Sequence, residues 1–358
     1  RIESGGTPKT DVEAYWNGGI QWATLVDLPS TDFITQIYST QRTISEIGLQ
    51  NSSAKMVPAH SVIVSTRATI GRIGINRVPI TTNQGFKNIV IQDSGRLIPE
   101  YVALALTKLV PIMNEWATGG TFKEISKSIF SELQIPLPPL DVQKEIVAEI
   151  EGYQKVIDGA RQVVENYKPR IDIDPEWPMV ELGEVCSLGG SITTDVNLTL
   201  PYIGADSIES HTGKILKIES AGSQNVSGPI YKFSGKRLLY SKIRPYLNKL
   251  TVVDLKGYCS SDMYPLVPDP TKVHITYLTT YMLSDRFNEQ IRGYYERASI
   301  PKINRSQLFG TEIPLPPLAT QKAIVAEIEA EQALVAANRE LIERFEKKIQ
   351  AVLARVWG

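Results

Sequence analysis

The sequence predicts an α+β protein with two similar domains and two long helices that form an antiparallel coiled coil. Residues 135–151 return as residues 313–329, 178 positions later, with only three differences. A repeat of that length, at the spacing of a whole domain, is typical of a tandem architecture. Each copy opens on Ile-Pro-Leu-Pro-Pro-Leu and continues with apolar residues at helical spacing, after a region of short strand-like segments. We therefore expect two globular bodies, each followed by a helix.

The order of these patterns divides the chain into four segments. A chain of 358 residues is long enough for two domains that each bury a core. We predict a first domain over 1–137, a central helix over 138–172, a second domain over 173–315 and a C-terminal helix over 316–358. Predicted strands cover 62–66, 70–75, 88–91 and 134–136 in the first domain and 238–241, 249–253, 264–267 and 312–314 in the second. Predicted domain helices cover 97–116 and 275–291.

The long helices are predicted from apolar residues that recur at steps of three and four, although the second stripe is imperfect because Glu331 and Asn338 fall where the first has Tyr153 and Ala160. In the first copy Pro138 and Pro139 exclude an earlier helix interior, and Asp141 is the expected N-cap. Such near-heptad stripes need a partner, and the simplest partner for each helix is the other, packed antiparallel. Two separate amphipathic helices, each lying on its own domain, remain the alternative. The stripes are Val142, Ile146, Ile150, Tyr153, Ile157, Ala160, Val164 and Tyr167, and Ile324, Ile328, Val335, Ile342, Phe345, Ile349, Val352 and Val356.

Composition excludes several classes of protein. The chain has 42% hydrophobic and 22% charged residues, no apolar run of about 20 residues and no signal-peptide pattern, so we expect a cytoplasmic protein without a membrane span. Its first residue is Arg1 rather than Met, so we expect the natural chain to begin earlier. Cys186 and Cys259 are expected to be buried hydrophobes, and with three histidines a structural zinc site is disfavoured.

Motifs for catalysis are missing from the sequence. Both Pro-Pro pairs lie between leucines rather than in the Asp/Asn-Pro-Pro-Tyr/Phe motif of amino-methyltransferases. No glycine-rich S-adenosylmethionine loop follows an early strand, and no Gly-x-x-x-x-Gly-Lys-Ser/Thr phosphate loop occurs. The scattered histidines also disfavour a histidine general base. We therefore predict a non-catalytic protein with no cofactor and no metal.

Positive charge is concentrated in two windows that are in register with the repeat. The net charge of −1 argues mildly against a free-standing nucleic-acid binder. However, no acidic residue lies between Glu46 and Asp93 or between Glu219 and Asp254. Each domain therefore has its own local basic region. The cations of these windows are Lys55, Arg67, Arg72, Arg77 and Lys87, and Lys232, Lys236, Arg237, Lys242, Arg244 and Lys249.

The repeated motif resembles that of the specificity subunits of type I restriction-modification systems. In that family each of two variable target-recognition domains is followed by a helix that opens with a Pro-Leu-Pro-Pro-Leu-x-x-Gln-like turn, which residues 135–151 and 313–329 match. The resemblance extends over essentially the whole chain. Supporting segments are Trp177–Val185, Gly5–Pro8 beside Gly189–Ser191, and Thr82–Phe86 beside Ser260–Tyr264.

The resemblance implies a non-catalytic DNA reader. Each domain would bind one half of a split, asymmetric double-stranded DNA target, and the helix pair would fix the gap between the halves. The helices would also dock two adenine-N6 methyltransferase subunits, and motor-nuclease subunits would join them for cleavage. Because they recur at identical places, Gln143, Lys144, Gln321 and Lys322 are candidates for this partner contact, with completion of a helix cap as the alternative.

Three groups of side chains in each domain are candidates for DNA contact. Arginine fits the guanine edge, lysine more often supplies charge to phosphates, asparagine and glutamine can read adenine, and aspartate can accept from cytosine. Solvated strand edges, turn capping and sheet packing remain the structural alternatives. The basic-hairpin candidates are Arg67, Arg72 and Arg77, and Lys236, Arg237, Lys242, Arg244 and Tyr246. The turn candidates are Asn83, Gln84 and Lys87, and Ser261 and Asp262. The loop candidates before the last strand are Thr121 and Lys123, and Arg297 and Lys302.

Two rival functions remain open at the level of sequence. The chain could be the C-terminal recognition part of a fused single-chain methyltransferase or restriction enzyme, which the full reading frame would decide. It could also be a coiled-coil scaffold that binds only proteins, which specific protection of a split DNA sequence would exclude. The target sequence itself cannot be read from the chain, because recognition also depends on loop geometry and DNA deformation.

Overall fold

The computed structural model describes residues 1–30, 33–119, 123–226, 228–296 and 301–357. The chain divides into two compact units: the first contains Arg1–Val163 and Asn338–Gly358, and the second contains Val164–Ala337. The predicted domains are continuous segments of the chain, whereas these units are defined by contacts and the first includes residues from both ends. The predicted boundaries stay a prediction. Within the described ranges, no helix has the length and apolar character that crossing a membrane requires.

The first unit mixes short strands with helices, as an α+β fold predicts. Its strands are β1 (Ile2–Ser4), β2 (Trp16–Ala23), β3 (Thr35–Ile37), β4 (Thr43–Ile44), β5 (Val62–Ser65), β6 (Ile73–Asn76), β7 (Thr81–Thr82) and β8 (Phe86–Ile89). Its helices are α1 (Glu46–Gln50), α2 (Pro99–Trp116), α3 (Lys127–Phe130) and α4 (Leu140–Asn166). The last residues of α4 belong to the second unit.

The second unit repeats this composition. Its strands are β9 (Met179–Glu181), β10 (Cys186–Leu188), β11 (Ser191–Thr193), β12 (Pro201–Ile203), β13 (Glu219–Ser220), β14 (Ile230–Phe233), β15 (Lys236–Ser241), β16 (Leu250–Asp254), β17 (Gly257–Cys259), β18 (Met263–Pro268) and β19 (Glu312–Pro314). Its helices are α5 (Leu182–Val185), α6 (Ile275–Leu283), α7 (Asp285–Arg292), α8 (Arg305–Phe309) and α9 (Leu318–Trp357). Residues of α9 from Asn338 onward belong to the first unit.

The main sheet of the first unit has the order β1-β8-β5-β6-β3 and is covered on both faces. Side chains alternate along a strand, so Val62 and Val64 of β5 face one side and Ile63 the other. Val62 and Val64 pack in the cluster that contains the apolar face of α2, and Ile63 packs with Phe86 in a separate cluster. All three β5 side chains are fully buried, which explains the uninterrupted apolar run in the sequence.

The main sheet of the second unit has the equivalent order β10-β18-β15-β16. Leu238 and Tyr240 of β15 pack in the cluster that includes α6 and α7, while Leu239 faces a second cluster that contains Met263. In the β15–β18 ladder Tyr240 lies opposite Tyr264, just as Val64 lies opposite Lys87 in the β5–β8 ladder. These ladders fix which positions of the two units correspond.

Within the first unit, α4 packs antiparallel against the C-terminal half of α9, as the sequence predicted. The Tyr153 and Phe345 rings meet edge-to-face at 5.3 Å between centroids. Toward the other end of the contact, Arg355 pairs with Glu149 at 2.7 Å. The two helices are antiparallel, because the contact moves from Phe345 to Arg355 on α9 as it moves back from Tyr153 to Glu149 on α4. The buried seam consists of Val147, Ile150, Ile157, Ile349, Val352 and Leu353.

The start of α4 differs from the prediction. The helix begins at Leu140, so Asp141 lies in its first turn and is not the N-cap. Val142, placed on the predicted seam, is 40% exposed, whereas Val147 is buried at 8%. The reason is that the first turn is covered by the body of its own unit, which selects the face carrying Gln143 instead of the face carrying Val142.

Several shorter elements also differ. The predicted strand 134–136 is not formed, whereas its equivalent, β19, pairs with β9. A strand needs a partner, and none of the described strands pairs with residues 134–136. The predicted helix 275–291 is two helices, because the Ser284 hydroxyl accepts from Phe287 N and starts α7. Both cysteines are buried and unbridged, as predicted, and burial raises the pKa of each thiol to about 12.

Candidate DNA interface

Three loops of the first unit meet beyond the end of β5. We call this place the first junction; it consists of residues 66–68, 83–85 and 123–125. Thr66 N donates to Gly85 O at 2.7 Å, and Ile125 N donates to Thr66 O at 2.9 Å. Ala68 N donates to Lys123 O at 2.9 Å. Backbone hydrogen bonds therefore tie together three segments that are far apart in the sequence.

The second unit builds the same arrangement beyond the end of β15. The second junction consists of residues 242–244, 260–262 and 301–303. Lys242 N donates to Asp262 O, and Ile303 N donates to Lys242 O, both at 2.9 Å. Arg244 N donates to Pro301 O at 2.8 Å. The same three bonds in the same order pair Thr66 with Lys242, Gly85 with Asp262 and Lys123 with Pro301 as equivalent positions.

Local backbone conformation shapes both junctions. Ala68 has φ +61° and its equivalent Arg244 has φ +48°, the left-handed region that costs an L-residue roughly 1–2 kcal/mol. In the neighbouring turn, the side-chain oxygen of Asn83 accepts from Gly85 N at 2.8 Å, and that of Ser260 accepts from Asp262 N at 3.1 Å. Asn83 therefore has a turn-capping role. Strained backbone held by surrounding hydrogen bonds is typical of ligand-contacting loops.

A carboxylate and two cations lie at the first junction. The Glu124 carboxylate is 3.6 Å from Arg67 Nε through one oxygen and 3.6 Å from Lys87 Nζ through the other. Lys87 is only 3% exposed and also donates to Thr66 Oγ1 at 3.3 Å. Burial lowers the pKa of Lys87, and the nearby Glu124 charge partly opposes that shift. The first junction thus brings Arg67 and Lys87, which the sequence assigned to separate groups, together around Glu124, which was not a candidate.

The second junction also carries one carboxylate and two cations, from different positions. Lys302 Nζ is 3.5 Å from Asp262 Oδ1. Lys242 Nζ lies 5.1 Å from the centre of the Tyr264 ring, a cation–π contact. Partial burial lowers the pKa of Lys242, Lys302 lowers it further and Asp262 opposes both. Three predicted residues, Lys242, Asp262 and Lys302, therefore meet at one place.

Two predicted arginines are engaged away from the first junction. The Arg72 guanidinium donates to Leu25 O at 3.3 Å and to Leu28 O at 2.8 Å. The Arg77 guanidinium donates to Gln36 Oε1 at 2.7 Å and forms an ion pair with Glu100 at 3.0 Å. In this conformation both arginines hold loops of the unit in place and are not grouped with Arg67.

Lys236 and Arg237 lie at the opposite end of β15 from Lys242. Six residues of strand separate these ends, which at ~3.3 Å per residue is roughly 20 Å. Arg237 Nε donates to Gly189 O at 2.9 Å, so part of this guanidinium is used to hold the glycine turn. An open cleft beside it is lined by Lys232 and Lys256. The predicted basic hairpin is therefore two separate basic regions.

The remaining predicted residues lie on or next to the junctions. Gln84 and Lys123 are exposed in the first unit, and Gln84 accepts from the Thr7 hydroxyl. In the second unit Ser261 is half-buried, and Arg244 is exposed. Tyr246 is 46% exposed, and its ring lies 6.3 Å from that of Tyr295. Thr121 and Arg297 lie outside the described residues.

Gln143 and Gln321 make the same contacts inside their units. The side-chain oxygen of Gln143 accepts from Ile98 N at 3.2 Å, and its amide nitrogen donates to the carbonyls of Arg96 and Pro138. Gln321 accepts from His274 N at 2.8 Å and donates to the carbonyls of Lys272 and Pro316. Both glutamines are 0% exposed. Each amide therefore fastens its long helix to the body of its unit and presents nothing to a partner in this conformation.

Lys144 and Lys322 follow these glutamines and are exposed. Lys144 is 60% exposed and lies 3.9 Å from Asp141 one turn earlier, a weak surface pair. Lys322 points to solvent as well. The recurring lysines, and not the recurring glutamines, are available to a partner subunit.

Sequence reasoning missed three residues that these contacts single out. Glu124 was not predicted, because only the folded loops bring it to Arg67 and Lys87. Tyr101 and Tyr277 were assigned only to helical patterns, yet Tyr101 donates to Pro136 O at 2.9 Å and Tyr277 donates to Pro314 O at 3.0 Å. A signal was present, since each tyrosine precedes the proline-rich motif at nearly the same spacing.

Comparisons with known proteins agree with the two-unit arrangement. The family model of the type I restriction modification DNA specificity domain matches residues 1–165 and again residues 175–347. The fold is also similar to that of a chain in a solved structure, with a TM-score of 0.60. That structure is described as showing the structural basis of complex assembly and conformational transition of the type I R-M system. That similarity covers 99% of this chain and 98% of the other at 19% identity, so it shows the fold.

Curated relatives match over parts of their length. The chain is 31% identical over 163 residues to the type I restriction enzyme MjaIX specificity subunit of Methanocaldococcus jannaschii, which covers 45% of this chain and 37% of that protein. It is 29% identical over 185 residues to the EcoDI specificity subunit of Escherichia coli, which covers 51% and 39%. The chain thus spans well under half the length of either relative.

Proposed function

Because the chain belongs to the type I restriction modification DNA specificity family, we propose that it is a non-catalytic subunit that selects the DNA target of a type I restriction-modification enzyme. Membership confirms the resemblance read from the repeated proline-rich motif. One observation carries the proposal: the family model matches twice, once over each unit. The presence of an equivalent junction in each unit supports it, because two readers of DNA need two comparable surfaces.

The proposed target has two short specific parts separated by a gap of fixed length. Each junction reads one part, and the two long helices set the gap. The 27 residues of α4 correspond to roughly 40 Å at ~1.5 Å per residue, slightly more than the ~34 Å of one turn of B-DNA. The fastening of each helix by Gln143 or Gln321 supports a defined gap, because a loose joint would allow several.

The proposed partners are double-stranded DNA, two adenine-N6 methyltransferase subunits and, for cleavage, motor-nuclease subunits. The net charge of −1 is compatible with this role if partner subunits supply much of the attraction to phosphate. Lys144 and Lys322 are the proposed contacts with the methyltransferase subunits. The curated relatives named above are specificity subunits, so the rival proposals of a fused enzyme and a protein-only scaffold have no observation in their favour.

A selection experiment tests the proposal. The chain is assembled with its methyltransferase subunits, incubated with a library of random duplex DNA, and the retained duplexes are sequenced. We expect enrichment of two short blocks at one constant separation. Enrichment of a single contiguous block, or retention without any sequence preference, would contradict the proposal. The methyltransferase subunits alone are the control and should retain duplexes without that preference.

A further inference from the structure

Each junction contains one carboxylate, but the two carboxylates come from different loops. Glu124 lies in the third loop of the first junction, where the equivalent position of the second junction is Lys302. Asp262 lies in the second loop of the second junction, where the equivalent position of the first is Gly85. The acid is thus present in both units although no single position carries it in both.

Both carboxylates are accessible and keep free acceptor capacity. The Glu124 side chain is 38% exposed and that of Asp262 is 40% exposed. Their closest cations lie 3.5 to 3.6 Å away, longer than the ~2.7–2.9 Å of a strong charge-assisted hydrogen bond. Neither carboxylate is therefore saturated by the cations beside it.

The surroundings restrict what such a carboxylate can bind on DNA. Phosphates repel it, and the two cations at each junction offset that repulsion, since each group of three carries one net positive charge. Among base edges in the major groove, the groups that donate hydrogen bonds are the amino groups of adenine and cytosine. A carboxylate accepts only, whereas the carbonyl oxygens of guanine and thymine also accept, so it rejects those bases.

We propose that Glu124 and Asp262 are the specificity-determining residues of their units, an inference that rests on the proposed DNA-reading function. Each accepts a hydrogen bond from the exocyclic amino group of an adenine or cytosine in its half of the target. Buried Lys87 positions the Glu124 carboxylate, and the more exposed Arg67, Lys242 and Lys302 contact the DNA backbone or neighbouring bases. Because the backbone of the two junctions matches, base choice is set by which loop supplies the acid.

The test compares Glu124→Gln and Asp262→Asn with the parent chain, each assembled with the methyltransferase subunits. Methylation rates are measured on synthetic duplexes in which each base of the parent's target is replaced in turn. An amide keeps the size of the carboxylate but adds a hydrogen-bond donor. Discrimination against guanine and thymine, which present a carbonyl oxygen in the major groove, should therefore fall by about tenfold or more at one position of the target. Glu124→Gln should relax one half of the target, and Asp262→Asn should relax the other half.

The matched control is Glu100→Gln, which removes a carboxylate that is 25% exposed and ion-paired with Arg77 but lies outside the junction. It should leave every base preference unchanged. The proposal is overturned if both junction variants keep the parent's preferences, or if they slow methylation equally on all duplexes. If Glu124→Gln melts at a lower temperature than the parent, Asp262→Asn alone tests the proposal. It must then relax the base preference in one half of the target. Failure of the proposed function is distinct, because the parent itself would then show no split target.

Discussion

The two units share the backbone of their junctions and differ in the charges that the backbone carries. At four equivalent positions the first unit has Thr66, Gly85, Lys87 and Glu124, and the second has Lys242, Asp262, Tyr264 and Lys302. An ammonium reaches the junction from β8 in the first unit and from the end of β15 in the second. The acid also comes from different loops: Glu124 lies in the third loop of the first junction and Asp262 in the second loop of the second junction. Under the proposed function, a constant frame with exchangeable charges would allow two readers of one design to prefer different DNA.

The joint between each unit and its long helix shows the opposite behaviour. Here both backbone and side chains repeat, because Gln143 and Gln321 make the same three side-chain hydrogen bonds. Tyr101 and Tyr277 likewise donate to equivalent carbonyls. The residues that fasten the long helices are therefore the same in both units, whereas the charged residues of the junctions differ.

The largest expected effect tests whether the two joints are equivalent. Replacing Gln143 or Gln321 by leucine leaves buried backbone groups without partners, which costs ~1–3 kcal/mol for each. We expect either substitution to lower the free energy of unfolding by about 3 kcal/mol, measured by chemical denaturation. Gln154→Leu is the control: it removes only a hydrogen bond to Asp158 within α4 and should change that free energy by less than ~0.5 kcal/mol. A large loss in one unit with none in the other would break the equivalence.

The next effect tests whether the second junction, and not the far end of β15, meets DNA. Replacing Lys242 and Lys302 together by alanine should weaken binding to the target by about 10- to 100-fold and reduce its salt dependence. Lys236→Ala should weaken binding by less than about threefold, because that lysine lies roughly 20 Å away along the strand. Titration of labelled duplex with the assembled complex measures both. A stronger loss from Lys236→Ala would move the interface to the cleft beside Gly189.

Much of the fold follows from the sequence, because the repeat and the helical spacing are local patterns. The antiparallel pairing of α4 with α9, the α+β class and the strands at residues 62–65 and 238–241 are confirmed. Which face of the first turn of α4 is buried cannot be predicted from the local pattern. Val142 continues the apolar stripe, but Gln143 is the buried residue because its amide donates to the carbonyls of Arg96 and Pro138. Only the position of those carbonyls decides between the two faces.

The junctions could be predicted only in part. Arg67, Lys87 and Glu124 come together through loops that are distant in sequence, and no spacing rule connects them. The separation of Lys236 from Lys242 was in principle accessible, since a six-residue strand places its ends far apart. The inward roles of Arg72 and Arg77 depend on carbonyl and amide acceptors that only the tertiary structure supplies. DNA contact by the predicted residues stays a prediction.

A smaller effect compares the two tyrosines of the joints. Tyr101→Phe and Tyr277→Phe each remove one hydrogen bond to a proline carbonyl and should lower stability by about 1 kcal/mol. The two melting temperatures should fall by similar amounts of a few degrees. Tyr38→Phe, at a tyrosine that is 67% exposed, should leave the melting temperature unchanged. Unequal losses from the two buried sites would show that the joints differ in strength.

The smallest effect concerns pH. Burial lowers the pKa of Lys87 below its ordinary 10.5, so the folded chain releases this proton at a lower pH than the unfolded chain does. Between the lowered pKa and 10.5 the unfolded state binds more protons, and the free energy of unfolding rises with pH. The difference between the parent and Lys87→Met should therefore grow in the parent's favour as pH rises through that window. Lys242→Met should show the same sign with a smaller slope, because Lys242 is less buried; a falling difference would contradict the burial of Lys87.

The central claim is that each unit reads one half of a split DNA target. Mapping of methylated adenines across the genome of cells that express this chain with its methyltransferase tests it most directly. We predict one modified motif, with two short specified parts around an unspecified gap of constant length. A contiguous motif, or a gap that varies from site to site, would contradict the claim.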